Sequence, residues 1–209
     1  MKKHAWLLAL VAMLTAGLCF LTAVRARDDD DKEEQMKIDA AKKAAPDVLG
    51  LADSVNDAAK LKQQVDAVTK KYNELLPIMW QMKPRDKGGL GVGKPGQYPN
   101  DSIELHLLLD LGGKKPPTGQ AFKDQAADNQ RMADVIKGIA SVTPAYGKKG
   151  GFTKGPADEK LWNSFADGMS KGTDDLSAAI KSNDEKAFHT AVNNLNKSCN
   201  DCHTKFRDN

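Results

Sequence analysis

The chain has 209 residues, of which 40% are hydrophobic and 28% charged, so a single globular domain can bury a sizeable core. Three of its basic residues lie in the first 26 positions, and the remainder carries 28 basic and 28 acidic side chains. This balance argues against a nucleic-acid-binding protein, which would present a basic surface.

The first 26 residues have the pattern of an export signal. A basic start is followed by an apolar run over residues 5–24, and small residues permit cleavage after Ala26. Residues 27–35 then form an acidic spacer. The alternative is an uncleaved anchor, because about 20 apolar residues can span a bilayer. We therefore expect an exported, periplasmic protein, with membrane contact only if the N-terminal segment is retained.

Hydrophobic spacing along the rest of the chain predicts helices. From Leu61 to Met82, seven hydrophobic residues step by three and four on one helical stripe. No stretch alternates with the period of two that is typical of strands. The predicted bundle helices cover about 57–82, 120–143, 157–182 and 184–207.

The predicted fold class is all-α: an antiparallel up-down four-helix bundle over residues 36–209. An additional N-terminal helix is predicted at about 36–55, and a long Gly/Pro-rich loop at about 83–99. Asn183 and Asp184 supply a side-chain cap with almost no loop, so the last two helices should fold back as a hairpin.

The sequence Cys199-Asn200-Asp201-Cys202-His203 is the attachment pattern of c-type haem. Two cysteines three residues apart lie on one side of a helix, where their thiols can bond the two vinyl groups of a porphyrin. The imidazole of the next residue can then ligate the iron. The pattern predicts one covalently attached haem c, with His203 as the axial ligand.

Two other sites could use these residues. A structural zinc site needs four ligands, and cleavage of the signal would remove Cys19 and leave only Cys199 and Cys202. A redox dithiol would lie at the N-terminus of a helix, where the thiol pKa is lowered. Here the pair lies near the end of a predicted helix, which favours haem.

These features together resemble the cytochrome c′ family, the four-helix-bundle class of c-type cytochromes. The resemblance covers residues 57–207, and Cys199, Cys202, His203, Phe206 and Arg207 match the family pattern in order. It implies that Phe206 packs at the haem and that Arg207 lies near its proximal side. The family resemblance also allows a homodimer.

Bundle topology bears on the sixth position of the iron. The end of the last helix should lie beside the start of the first, so we expect the haem to face Val65, Val68 and Tyr72. Met79 and Met82 would then lie at the opposite pole. This arrangement predicts an open, apolar distal site that admits nitric oxide or carbon monoxide. A six-coordinate iron with Met or His106 as the sixth ligand is the alternative.

The predicted function is that of a non-enzymatic cytochrome. It would transfer single electrons to a redox partner protein, bind a small gas, or do both. A peroxidase would need a polar distal acid-base pair, for which only Arg131 is a candidate. The glycine-rich residues 88–96 fit phosphate-binding patterns, but no predicted strand precedes them. They are expected to form a mobile, solvated loop.

Overall fold

The computed structural model describes residues 30–207 of the chain. The predicted signal peptide at 1–26, Cys19 and the start of the acidic spacer lie outside the described residues. The chain divides into two compact units, residues 1–39 and 40–209. In the first unit, residues 30–39 are helical.

All the regular secondary structure between residues 30 and 207 is helical, without a strand, which confirms the all-α prediction. Helix α1 covers residues 30–52. The second unit continues with α2 (Ala58–Lys71), α3 (Leu76–Met79), α4 (Ile103–Leu105), α5 (Gly119–Asp124), α6 (Ala126–Val142), α7 (Tyr146–Lys149), α8 (Pro156–Ser182) and α9 (Glu185–Phe206). Short 3₁₀ turns cover Trp80–Met82, Arg85–Lys87 and Thr143–Ala145, and α4 leads directly into a π-helix over His106–Leu111.

Helices α8 and α9 form an antiparallel hairpin. Helix α8 ends at Asn183, whose left-handed backbone (φ 54°) reverses the chain, and the Asp184 carboxylate accepts a hydrogen bond from the backbone N–H of Ala187 at 2.9 Å. Along the hairpin, Gly168 packs against Ser198 and Gly172 against Leu195. Glycines at these positions let the two helices approach closely.

The bundle continues through α6 to α1. Gln130 on α6 donates a hydrogen bond to the hydroxyl of Ser177 on α8 at 2.9 Å. Further along α6, a Cβ at Gly138 would lie 2.9 Å from the Cβ of Leu51, so α1 packs tightly there. In the second unit, α1 buries Ala41, Ala44, Val48 and Leu51 completely.

The prediction of one continuous helix over 57–82 is wrong. Helix α2 ends at Lys71, and a new helix begins only at Leu76. Pro77 explains the break, because a proline inside a helix removes a backbone donor and clashes with the preceding turn. The stripe from Leu61 to Met82 is therefore divided among α2, α3 and the 3₁₀ turn that follows α3. The segment predicted as an additional helix supplies the buried face against α6.

A polar cluster joins the end of α2 to α1. The Asp47 carboxylate accepts hydrogen bonds from Lys71 at 2.7 Å and from the Tyr72 hydroxyl at 2.5 Å. Burial alone would raise the pKa of Asp47, but the hydrogen bonds from Lys71 and Tyr72 and the charge of Lys71 outweigh it and lower this pKa. The ionised form of Asp47 therefore stabilises the fold.

We expect Asp47→Asn to lower the free energy of unfolding by about 1–2 kcal/mol at pH 7, the range for hydrogen bonds to a charged group. Because the pKa of Asp47 is lower in the folded state, its contribution is present above about pH 4 and is lost as the pH falls below that. Urea unfolding at pH 7 and at pH 3 measures the difference between variant and wild type. An equal difference at both pH values would show that the charge is unimportant.

Candidate functional site

A cavity of about 350 Å³ lies at one end of the α8–α9 hairpin. Its lining is mainly hydrophobic. Helix α9 and the residue after it contribute Asn196, Cys199, Asn200, Cys202, His203, Phe206 and Arg207, and the facing walls contribute Leu75, Leu76, Met79, Trp80, Met82, Lys83, Glu104, Leu107, Leu108, Thr143, Phe152, Trp162 and Met169. Leu76 and Leu108 are 42% and 43% exposed, so the cavity reaches the protein surface.

Helix α9 brings the predicted attachment residues to this cavity. Its stripe of Phe188, Val192 and Leu195 is fully buried, and Cys199 and Cys202 continue that stripe one and two turns further on. Both cysteines are free thiols and half-buried. The five-residue motif therefore presents two thiols and an imidazole to a single apolar space.

The pKa values of the two thiols and the side chains around them distinguish haem attachment from a redox dithiol or a zinc site. Burial is the main cause that raises the pKa of Cys199 to about 12 and that of Cys202 to about 11. A redox-active dithiol requires the opposite shift, toward the thiolate. Between residues 30 and 207, no three His, Cys, Asp or Glu side chains gather as a metal site would require. The structure therefore offers no support for a redox dithiol or a closed zinc site.

Arg207 lies beside the predicted iron ligand. Its guanidinium donates to Nδ1 of His203 at a distance of 3.0 Å, as expected for residues one helical turn apart. Because arginine only donates, Nδ1 is the acceptor and Nε2 carries the proton of a neutral ring in this arrangement. Ligation of a metal through Nε2 would place the ring proton on Nδ1, so the bond from Arg207 to Nδ1 would have to break.

Aromatic side chains close one end of the cavity. The rings of Phe152 and Trp162 stack with their centroids 4.8 Å apart, and Phe206 meets Trp162 edge-on at 5.2 Å. The indole of Trp162 donates to the carbonyl oxygen of Thr143 at 2.8 Å. This bond holds the indole in one orientation. Phe206 lies in the cavity wall. The sequence predicted that this side chain packs at the haem.

The wall that faces α9 is formed by two segments that precede residue 111. Asn196 on α9 donates a hydrogen bond to the carbonyl oxygen of Leu107 at 3.1 Å, which ties the π-helix to the motif helix. The two segments are joined by an ion pair between Lys83 and Glu104 at 2.8 Å. These contacts place Leu107 and Leu108 over the cavity.

The prediction that Val65, Val68 and Tyr72 face the haem needs correction. None of the three lines the cavity. Val68 is buried in the core, and the Tyr72 hydroxyl is bonded to Asp47. The cause is the end of helix α2 at Lys71, after which the segment that begins at Leu75 turns toward the cavity. Met79 and Met82, placed at the opposite pole by the sequence argument, are in the cavity wall.

His106, the alternative sixth ligand, and Arg131, the candidate for a peroxidase, both lie outside the cavity lining. His106 is fully buried, with Nδ1 2.8 Å from the Asp110 carboxylate and Nε2 3.1 Å from the side-chain oxygen of Asn129. Both of its ring nitrogens are engaged, so His106 is not placed to ligate a metal there. Arg131, the candidate for a peroxidase, forms an ion pair with Asp53 at 2.7 Å.

The glycine-rich loop makes specific contacts with its own residues. Arg85 donates to the carbonyl oxygen of Gly93 at 2.7 Å and also bonds the Asp101 carboxylate. Val92 is buried in the core. The contacts differ from the expected mobile, solvated loop. Because these contacts engage the loop, the structure does not support the phosphate-binding role that its sequence pattern resembles.

Sequence reasoning missed most of the wall facing α9. Leu75, Leu76, Leu107 and Leu108 line the cavity, and none of them was predicted to do so. Pro77 was the available signal for the first pair, because it marks the start of a new helix. The second pair lies in a hydrophobic run whose position depends on long-range contacts such as the bond from Asn196.

The residues of the cavity fit a covalently attached haem. Its attachment requires two thiols on one helical face, an adjacent imidazole and an apolar space beside them, and all three are present. Neither cysteine is in a disulfide, so both thiols are available for addition to vinyl groups. No closed set of alternative metal ligands competes for these residues within the part of the chain that is described.

A comparison with protein families gives a match. The family model Cytochrome C' matches residues 111–207, which contain α5 to α9 and the full attachment motif. Neither the curated proteins nor the solved structures give a match. Helix α1 and the cavity wall before residue 111 lie outside the matched range. Over residues 111–207, which include Cys199, Cys202 and His203, the chain is similar to the cytochrome c′ family.

Proposed function

We propose that the chain is an exported monohaem cytochrome that transfers single electrons. The observation that carries this proposal is the convergence of Cys199, Cys202 and His203 on one apolar cavity. The two cysteines would hold the haem covalently, and His203 would ligate its iron. The haem supplies the one-electron chemistry, while the chain supplies the ligand, the burial and the local charge.

The walls of the cavity support an electron carrier more than an enzyme. Outside α9 and Arg207, the charged lining side chains are Lys83 and Glu104, and they pair with each other. A peroxidase would need an uncommitted acid-base group facing the open side of the metal. The opening at Leu76 and Leu108 offers a surface at which a redox partner protein can approach.

The sixth position distinguishes two forms of this function. An open position would bind nitric oxide or carbon monoxide, and the apolar leucines of the wall suit such uncharged ligands. A position closed by a methionine would favour pure electron transfer. The presence of Met79, Met82 and Met169 in the cavity wall favours the second form.

The periplasm is the proposed location. The pattern of residues 1–26 supports export, and the cytochrome c′ resemblance agrees with it. Between residues 30 and 207, the structure has no helix with the length and hydrophobicity needed to cross a bilayer. Amino-terminal sequencing of the purified protein would show whether cleavage occurs after Ala26.

A potentiometric titration tests the proposed function. We expect one optically detected redox transition with the slope of a single electron, because one haem iron changes oxidation state. A dithiol–disulfide couple would instead give a two-electron slope without a visible chromophore. Either that outcome or the absence of a redox transition would contradict the proposal.

A further inference from the structure

The residues that could close the sixth position lie outside the segment that matches the cytochrome c′ family. The matched range begins at residue 111, whereas the wall facing α9 is formed by residues 75–83 and 104–108. The family match therefore leaves the identity of a sixth ligand undetermined. The side chains of this wall are the candidates for a sixth ligand.

Three methionines line the cavity, and the register of the hairpin argues against one of them. Gly168 packs against Ser198 and Gly172 against Leu195, so Met169 is level with residues just before Ser198. His203 lies about five residues further along α9, or about 8 Å along its axis. Met169 is also 4% exposed, so almost none of its surface is open to the cavity.

The remaining two methionines differ in burial. Met82 is 9% exposed and belongs to the buried core, whereas Met79 is only partly buried and packs against that core. Leu76, three residues before Met79, is 42% exposed where the cavity reaches the surface. A ligand for a group in the cavity must have surface open to it, and Met79 meets this condition better than Met82.

The backbone around Met79 is held in place by its neighbours. The indole of Trp80 donates to the carbonyl oxygen of Lys87 at 2.6 Å, and the Gln81 amide donates to that of Ala41 at 2.7 Å. Gln81 is completely buried, so this second bond is shielded from water. A ligand on such a turn is preorganised, because little motion remains to be lost when it binds.

We propose that Met79 is the sixth ligand of the haem iron. This inference rests on the proposed function, because it requires a haem attached at Cys199 and Cys202. A thioether is neutral, and it suits a cavity wall whose leucines offer no hydrogen-bonding side chain to a charged ligand. Methionine opposite histidine also raises the reduction potential of a haem.

The test compares Met79→Leu with the matched control Met82→Leu in the mature, haem-containing protein. We expect wild type and Met82→Leu to be low-spin, with ferrous spectra that carbon monoxide does not change. Met79→Leu should become high-spin, bind carbon monoxide and have a lower midpoint potential. The inference is overturned if wild type is already high-spin and binds carbon monoxide, or if Met79→Leu behaves as wild type.

A second measurement tests the proposal if the Met79→Leu protein fails to accumulate. In the ferrous wild type, methyl-labelled methionine should give one resonance shifted far upfield by the porphyrin ring current. The resonance should remain in both Met82→Leu and Met169→Leu, which assigns it to neither of these residues. Its loss in either variant, or its absence in wild type, would refute Met79 as ligand. A wild type without covalent haem would instead refute the proposed function.

Discussion

Replacing both Cys199 and Cys202 by serine is expected to abolish covalent haem attachment. Each thiol lines the cavity beside His203, and a serine hydroxyl cannot form the thioether. Haem content after denaturation should fall from one per chain to none, as measured on a haem-stained denaturing gel. Asn200, one of the two residues between them, provides a control, because Asn200→Ala leaves both thiols and His203 unchanged.

The outcome separates attachment from general folding. If the Asn200→Ala protein lost its haem to the same extent, the loss would reflect the conformation of α9 and not the missing thiols. Retention of covalent haem by the double serine variant would contradict the assignment of both cysteines. Circular dichroism should show helical protein in all cases, since α9 is also held by the buried Phe188, Val192 and Leu195.

The second large effect is expected in the core. Leu51 on α1 is completely buried against Gly138 of α6, so Leu51→Ala should lower the free energy of unfolding by about 2–5 kcal/mol. Leu61 on α2 is only partly buried, and Leu61→Ala should cost about 1 kcal/mol or less. Urea unfolding of the two variants measures both values.

This pair of variants tests which segment completes the bundle. The sequence argument assigned Leu61 to a core stripe and treated the segment of Leu51 as an additional helix. If that assignment were right, Leu61→Ala would be at least as destabilising as Leu51→Ala. The structure instead predicts that Leu51→Ala is clearly more destabilising than Leu61→Ala.

The sequence predicted the C-terminal hairpin well because its signals are local. The cap at Asn183 and Asp184 and the attachment motif each need only a few neighbouring residues. Their consequences follow from helical geometry, which places Cys199 and Cys202 on the buried side of α9. The prediction of an all-helical fold has the same origin.

The wall facing α9 could not be predicted in the same way. It depends on where two segments of the chain before residue 111 pack, and contacts such as that from Asn196 to Leu107 join residues far apart in sequence. One error was avoidable. Pro77 lies inside the stripe that was interpreted as one helix, and periodicity alone concealed the break that places Met79 at the cavity.

The intact mass of the purified protein under denaturing conditions shows whether one haem is covalently attached to the chain. Expression in a host competent in cytochrome maturation should give the mass of the chain plus one haem, with no thiol left to alkylate at Cys199 or Cys202. A colourless protein with the mass of the chain alone and two reactive thiols would contradict the account.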